Sequence, residues 1–167
     1  MIRRLGITAV TVTLMVTLLP AAPAGAAADR GFMIRNVSSG ECLGVGKDAT
    51  VHRRGLMLGT WSCDPYAKAL RWKRTARGQF ASLGVTRACV DAPGREAVLA
   101  RRCRTTAEQQ RFTVRLIRER LGGDWQLLRW KHLKNRCLME GRVYFDDVVL
   151  ADRCNSSSTN QTWVFVS

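Results

Sequence analysis

Short apolar runs, each a few residues long and cut by turn-forming residues, recur from Phe32 to Val166. Apolar and polar positions alternate in Phe112-Thr113-Val114-Arg115-Leu116-Ile117 up to the final pair, and again in Trp163-Val164-Phe165-Val166. A period of two in runs rich in Val, Leu and aromatics predicts strands with one face buried. Ser38-Ser39-Gly40, Ala92-Pro93-Gly94, Leu121-Gly122-Gly123-Asp124 and Asn155-Ser156-Ser157-Ser158 predict the turns between them. Thr105 to Arg120 competes as a helix with Thr106 as a cap, but its place in the larger pattern calls for a loop and then a strand.

That larger pattern is a threefold repeat. Six cysteines fall into three pairs in pattern, Cys42 with Cys63, Cys89 with Cys103 and Cys137 with Cys154, and the first members lie 47 and 48 residues apart. Nine residues after each second cysteine stands a large aromatic: Trp72, Phe112 and Trp163. An apolar residue follows each first cysteine (Leu43, Val90, Leu138), and another lies five residues before each second one (Leu58, Val98, Val149). Upstream of each first cysteine lies an apolar stretch: Phe32-Met33-Ile34, Phe80-Ala81-Ser82-Leu83 or Trp125-Gln126-Leu127-Leu128. Each unit thus reads as about four short strands, too small to bury a hydrophobic face alone. Three units packed around a pseudo-threefold axis share one core, with Trp72, Phe112 and Trp163 expected at its centre. The expected fold is all-β, with repeats at about 31–76, 77–119 and 122–167. Six cysteines allow fifteen connectivities; the repeat favours pairing inside each unit.

The amino terminus changes the compartment expected. Arg3 and Arg4 precede an uncharged apolar run from Leu5 to Leu19, then Pro20 and the small residues Ala24-Gly25-Ala26. That order predicts a removed export signal over residues 1–26; the run is short of the roughly 20 residues of a spanning helix. Residues 27–167 are then one secreted domain, and an even cysteine count in an exported chain implies disulfides. No C-x-x-C occurs, and His52 and His132 lie far in sequence from a cysteine pair, so no metal or cofactor is expected. The chain carries 27 basic and 13 acidic residues; without Arg3 and Arg4 the net charge is +12. Such a charge draws a protein to polyanions. The basic clusters are Arg71, Lys73, Arg74 and Arg77; Arg101, Arg102 and Arg104; Arg115, Arg118 and Arg120; and Arg129, Lys131, His132, Lys134 and Arg136, the last with Trp130 among them as a stacking residue.

The pattern resembles the ricin-B-type (R-type) lectins, β-trefoils whose repeats each close on a Q-x-W triplet. Gln161-Thr162-Trp163 matches, Gln110-Arg111-Phe112 matches with Phe for Trp, and Leu70-Arg71-Trp72 keeps the aromatic. The likeness covers essentially the whole of residues 27–167. It implies a β-trefoil and sugar binding, with an Asp two residues after the first cysteine, a stacking aromatic two before the second, and an Asn-Gln pair opening the triplet. Carboxylate and amide fix hydroxyls by directional hydrogen bonds, and the aromatic face covers the sugar's C–H patch. In the first repeat Trp61 holds the stacking position, but Gly44 replaces the Asp and Ala69-Leu70 the amides. In the second Asp91 and Gln109-Gln110 are in place, with Arg101 at the aromatic position. In the third Asn160-Gln161 is in place, with Met139 for the Asp and Asp152 for the aromatic. No repeat has the full set. The second is the best remaining site, and Arg101 there could stack on a sugar or bind an acidic one. Gln110 and Gln161 have a competing structural reading, as groups that bond backbone where each repeat closes.

The expected function is therefore a secreted lectin-like protein with degenerate sugar sites and a glycan partner. Two other readings stand beside it: a binder of anionic polymers through the basic surface, and a protein-interaction trefoil using the first-repeat loop from Gly46 to Gly55. No motif places a nucleophile beside a base, and Asp146 and Asp147 would face opposite ways on a strand, so an enzyme is not expected.

Overall fold

The computed structural model describes residues 31–46, 55–92, 98–121, 123–143 and 146–167. The export signal expected over 1–26, most of the Gly46–Gly55 loop and the turn at Pro93-Gly94 lie outside the described residues. Twelve strands fall into three sets of four. The first set is β1 (Met33–Asn36), β2 (Cys42–Val45), β3 (Leu56–Trp61) and β4 (Trp72–Arg74). The second is β5 (Phe80–Ser82), β6 (Ala88–Asp91), β7 (Leu99–Arg102) and β8 (Phe112–Arg118). The third is β9 (Trp125–Trp130), β10 (Arg136–Val143), β11 (Asp146–Arg153) and β12 (Thr162–Val166). A single 3-10 turn precedes the fourth strand of each set, at Lys68–Leu70, Glu108–Gln110 and Thr159–Gln161. Thr105–Arg120 is thus loop, 3-10 turn and strand.

The first and fourth strands of the sets follow one another around a barrel. β12 pairs with β1 and β9, β4 with β5, and β8 with β9, all antiparallel. Phe32 and Trp72 exchange backbone bonds of 2.9 and 2.8 Å, joining β1 to β4, and Phe112 N–H donates to Gly78 C=O at 2.9 Å. The second and third strands form three hairpins, β2–β3, β6–β7 and β10–β11. These meet through Leu58, Val98 and Val149, all buried, where Val98 N–H donates to Val149 C=O at 2.8 Å and Leu58 N–H to Val98 C=O at 3.4 Å. This is the three-repeat β-trefoil. The disulfides are Cys42–Cys63, Cys89–Cys103 and Cys137–Cys154, each inside one repeat.

Trp72, Phe112 and Trp163 are fully buried in one cluster. Trp72 Nε1–H donates to Leu43 C=O at 2.8 Å and Trp163 Nε1–H to Leu138 C=O at 3.0 Å, satisfying polar groups that burial would otherwise penalise. Phe80, Phe32 and Phe165 stack among themselves, and Phe80 also meets Phe112. Trp130, read from sequence as a stacking residue among basic side chains, is buried instead: its ring lies 4.7 Å from Phe112 and its Nε1–H donates to Gln109 C=O at 3.1 Å. The strand period puts it opposite Phe112 on the inner face, with Arg129 facing out.

One backbone feature also repeats. Two residues before each first cysteine the chain enters the left-handed region, at Gly40 (φ 76°), Arg87 (φ 57°) and Asn135 (φ 61°). In the second and third repeats their carbonyls accept from the second cysteine of the unit, Cys103 N–H to Arg87 at 2.7 Å and Cys154 N–H to Asn135 at 3.0 Å; in the first the disulfide sulfur of Cys63 lies 3.4 Å from the Gly40 carbonyl oxygen. Gly and Asn tolerate this conformation; for Arg it costs roughly 1–2 kcal/mol.

Candidate functional site

The hairpin registers superpose the three repeats. Trp61, Arg101 and Asp152 each pair with the first cysteine of their unit, across from Cys42, Cys89 and Cys137. Gly44, Asp91 and Met139 stand two residues further along β2, β6 and β10. The residues singled out in the sequence therefore occupy three separate places: Trp61 in the first repeat, Asp91, Arg101, Gln109 and Gln110 together in the second, and Asn160 and Gln161 in the third.

The second repeat holds a cavity of about 560 Å³. Asp91 ends β6 and is almost wholly buried. Gln110, on the last residue of the 3-10 turn, donates through Nε2 to Asp91 Oδ2 at 2.9 Å and to Arg102 C=O at 2.9 Å. Its Oε1 accepts from Arg104 N–H at 2.9 Å and from Gln79 Nε2 at 3.0 Å. One oxygen of Asp91 is thus fixed, while Oδ1 is buried without a hydrogen bond and faces the Arg101 guanidinium at 3.8 Å. Burial raises the Asp91 carboxyl above its ordinary value, against the Gln110 hydrogen bond and the charges of Arg101, His132 and Arg104. Arg87, Arg101, Arg102, Arg104 and Gln109 line the same cavity. Gly55 leaves room for Arg101, since a Cβ there would come 2.9 Å from its Cγ.

The first repeat has closed over the equivalent place. A Cβ on Gly44 would lie 2.5 Å from Leu70 Cδ2, 3.1 Å from Trp61 Cε3 and 3.2 Å from Ala69 C=O. Leu70 therefore fills the space that a carboxylate and an amide share in the second repeat, and Trp61, 38% exposed, lies beside it. The third repeat keeps a hollow of about 510 Å³ lined by Met139, Asp152, Asn160 and Gln161 among others. Gln161 repeats the Gln110 pattern: Nε2 donates to Arg153 C=O at 2.8 Å and Oε1 accepts from Asn155 N–H at 2.8 Å. Where Gln110 meets a carboxylate, Gln161 meets Met139 Sδ at 3.8 Å. Asn160 donates to Glu140 C=O at 3.3 Å and bonds Ser158, and Asp152 pairs with Arg136 at 3.2 Å. Both glutamines bond backbone where their repeats close, and Gln110 also bonds the Asp91 and Gln79 side chains.

Some contributors escape sequence reasoning. His132 comes from the β9–β10 turn and couples electrostatically to Asp91 across the repeat boundary, while burial lowers its own pKa. Arg87 could have been found by aligning it with Gly40 and Asn135. Glu140, buried, accepts from Ser39 and Thr60 hydroxyls at 2.7 Å each and links the first and third repeats. On the outer face of the β8–β9 ribbon, Arg118 and Arg120 lie 5.5 and 5.1 Å from the Trp125 ring centroid. Among the described residues no group of three His, Cys, Asp or Glu could hold a metal ion, and no helix is long and apolar enough to cross a membrane.

Residues 30–163 match the family model of the ricin-type beta-trefoil lectin domain. Among solved structures, the C-half of the earthworm R-type lectin in complex with GalNAc is 15% identical (TM-score 0.62, 81% of this chain and 97% of that one). The designed threefold-symmetric protein ThreeFoil is 15% identical (TM-score 0.64, 83% and 99%). The Vibrio vulnificus hemolysin/cytolysin beta-trefoil lectin with N-acetyl-D-lactosamine bound is 15% identical (TM-score 0.58, 81% and 92%). At these identities the likeness shows the fold. No curated protein sequence matches the chain.

Proposed function

The chain belongs to the ricin-type beta-trefoil lectin domain family, and from that premise we propose that it is a secreted, non-catalytic carbohydrate-binding protein with one working sugar site, in the second repeat. The observation that carries this is Asp91: a buried carboxylate in the cavity lining, with one oxygen held by Gln110 and the other paired with the Arg101 guanidinium at 3.8 Å without a hydrogen bond. A buried acceptor that makes no hydrogen bond is costly, and a sugar hydroxyl entering beside Arg101 lowers that cost. GalNAc and N-acetyl-D-lactosamine complexes among proteins of this fold support a glycan as the ligand class. The sites of the first and third repeats are degenerate on this reading, one filled by Leu70 and one without its carboxylate. Three disulfides and the apolar leader support export. The test is a glycan array followed by titration calorimetry. Asp91→Ala is expected to lower affinity at least tenfold, with the melting temperature measured alongside. A flat array at high protein concentration overturns the proposal.

A second reading, binding of anionic polymers, is favoured by Arg118 and Arg120 flanking Trp125 on the β8–β9 ribbon, where exposed Arg115 and Arg129 also lie.

A further inference from the structure

The second-repeat cavity departs from a neutral-sugar site in a consistent direction. Arg101 stands on β7 across from Cys89, where the first repeat carries Trp61. Its guanidinium reaches over the cavity to Asp91 at 3.8 Å. Arg102 and Arg104 line the same wall and are exposed. The fourth arginine is the most informative. Arg87 occupies a left-handed position (φ 57°) that Gly40 and Asn135 fill in the other repeats. Strain held by a residue ill-suited to its backbone points to a use for its side chain, and Arg87 lines this cavity.

We propose that the second-repeat cavity takes an anionic sugar, with Asp91 Oδ1 accepting a ring hydroxyl and Arg87, Arg101, Arg102 and Arg104 holding a carboxylate or sulfate. Guanidinium donors match planar carboxylates and sulfate oxygens in paired hydrogen bonds. The buried Asp91 carboxylate in this cavity supplies orientation and limits the site to ligands that also present a hydroxyl. A bare inorganic anion would be repelled by Asp91 and offers it no donor. This inference rests on the glycan reading and adds the class of glycan.

The experiment titrates the protein, in 150 mM sodium chloride (about 8 Å screening), with a neutral methyl galactoside, its uronate and its 6-sulfate. The acidic forms are expected to bind at least tenfold tighter than the neutral one, and the uronate and sulfate arms tell which anion the arginines fit. Asp91→Asn should abolish binding of all three. Arg87→Gly should cut the acidic preference several-fold while melting no lower than the parent, because glycine suits that backbone, so loss of binding there cannot be misfolding. Lys68→Gln, an equal charge loss on the exposed first-repeat turn, should leave the preference intact. Equal affinity for neutral and acidic sugars overturns the inference and leaves the glycan reading standing. An acidic preference that survives in both Arg87→Gly and Asp91→Asn overturns it as bulk charge. Binding of none of the sugars overturns both.

Discussion

Gly44 has no room for a side chain, and that one fact decides the fate of the first repeat. A Cβ there would press on Leu70, Trp61 and the Ala69 carbonyl. Gly44→Asp, which writes the second repeat's carboxylate into the first, is expected to destabilise the fold by about 1–3 kcal/mol through overpacking, with the unpaired carboxylate adding to the cost. Pairing it with Leu70→Gln should recover part of that loss, because the amide can bond the new carboxylate as Gln110 bonds Asp91; denaturant melts of the two variants check this. Asp91 gives the other residue-scale prediction. Its folded carboxyl titrates above the unfolded value of 3.8 because burial disfavours the ion. The stability it contributes therefore falls as pH rises from 3.8 through the raised value, and returns on acidification. His132, pushed below 6.5 by burial, acts oppositely: stability is lost as pH falls through its lowered value. Comparing melting temperatures of the parent and Asp91→Asn from pH 7 to 4 isolates the first effect. The parent should gain on the variant as pH falls, while ligand is released in the same window. The positions of Asp91, Gln110 and Arg101 were readable from spacing to a cysteine. The direction of Trp130 was not, because a charge-rich neighbourhood in sequence hides which side of a strand faces inward. The reach of His132 to Asp91 was not either, because it crosses between repeats.

Among the elements, the strands were the most legible, and the irregularities between them were legible only in part. The alternation along β8 fails at Leu116-Ile117, and there the β8–β9 register slips between Leu116 and Arg118. A broken period was thus a bulge written in the sequence. That slip sets Arg118 opposite Trp125 and makes the cation-π pair possible. The 3-10 turns were hidden, since three residues carry no helical period. They matter because they place a glutamine under the hairpin end: in Glu108–Gln110 and Thr159–Gln161 the last residue tethers the loop after the second cysteine. In Lys68–Leu70 a leucine occupies that place and packs with Met33 and Cys42 instead. One local shape is therefore stabilised by polar bonds twice and by apolar contact once. The sequence comparison showed the substitution, and only the packing around Gly44 showed that it closes the site.

At the scale of the molecule, twelve strands close on one core whose centre is shared by all three units, and the surface is left basic. Net charge acts through screened, long-range attraction and predicts weak retention on any polyanion. The Arg118–Trp125–Arg120 stack adds a short-range contribution that salt screens less. Elution from heparin separates the two. If the β8–β9 ribbon is a binding face, Arg118→Ser with Arg120→Ser should elute at clearly lower salt than the parent, and by more than Lys68→Gln with Lys73→Gln. Equal elution of the two double variants would leave bulk charge alone. The closed first repeat has a different consequence. A protomer that engages one ligand at a time can coat a surface but cannot tether one particle to the next. As a lone chain it should fail to agglutinate cells bearing its glycan, and at saturating concentration it should mask them from lectins that do.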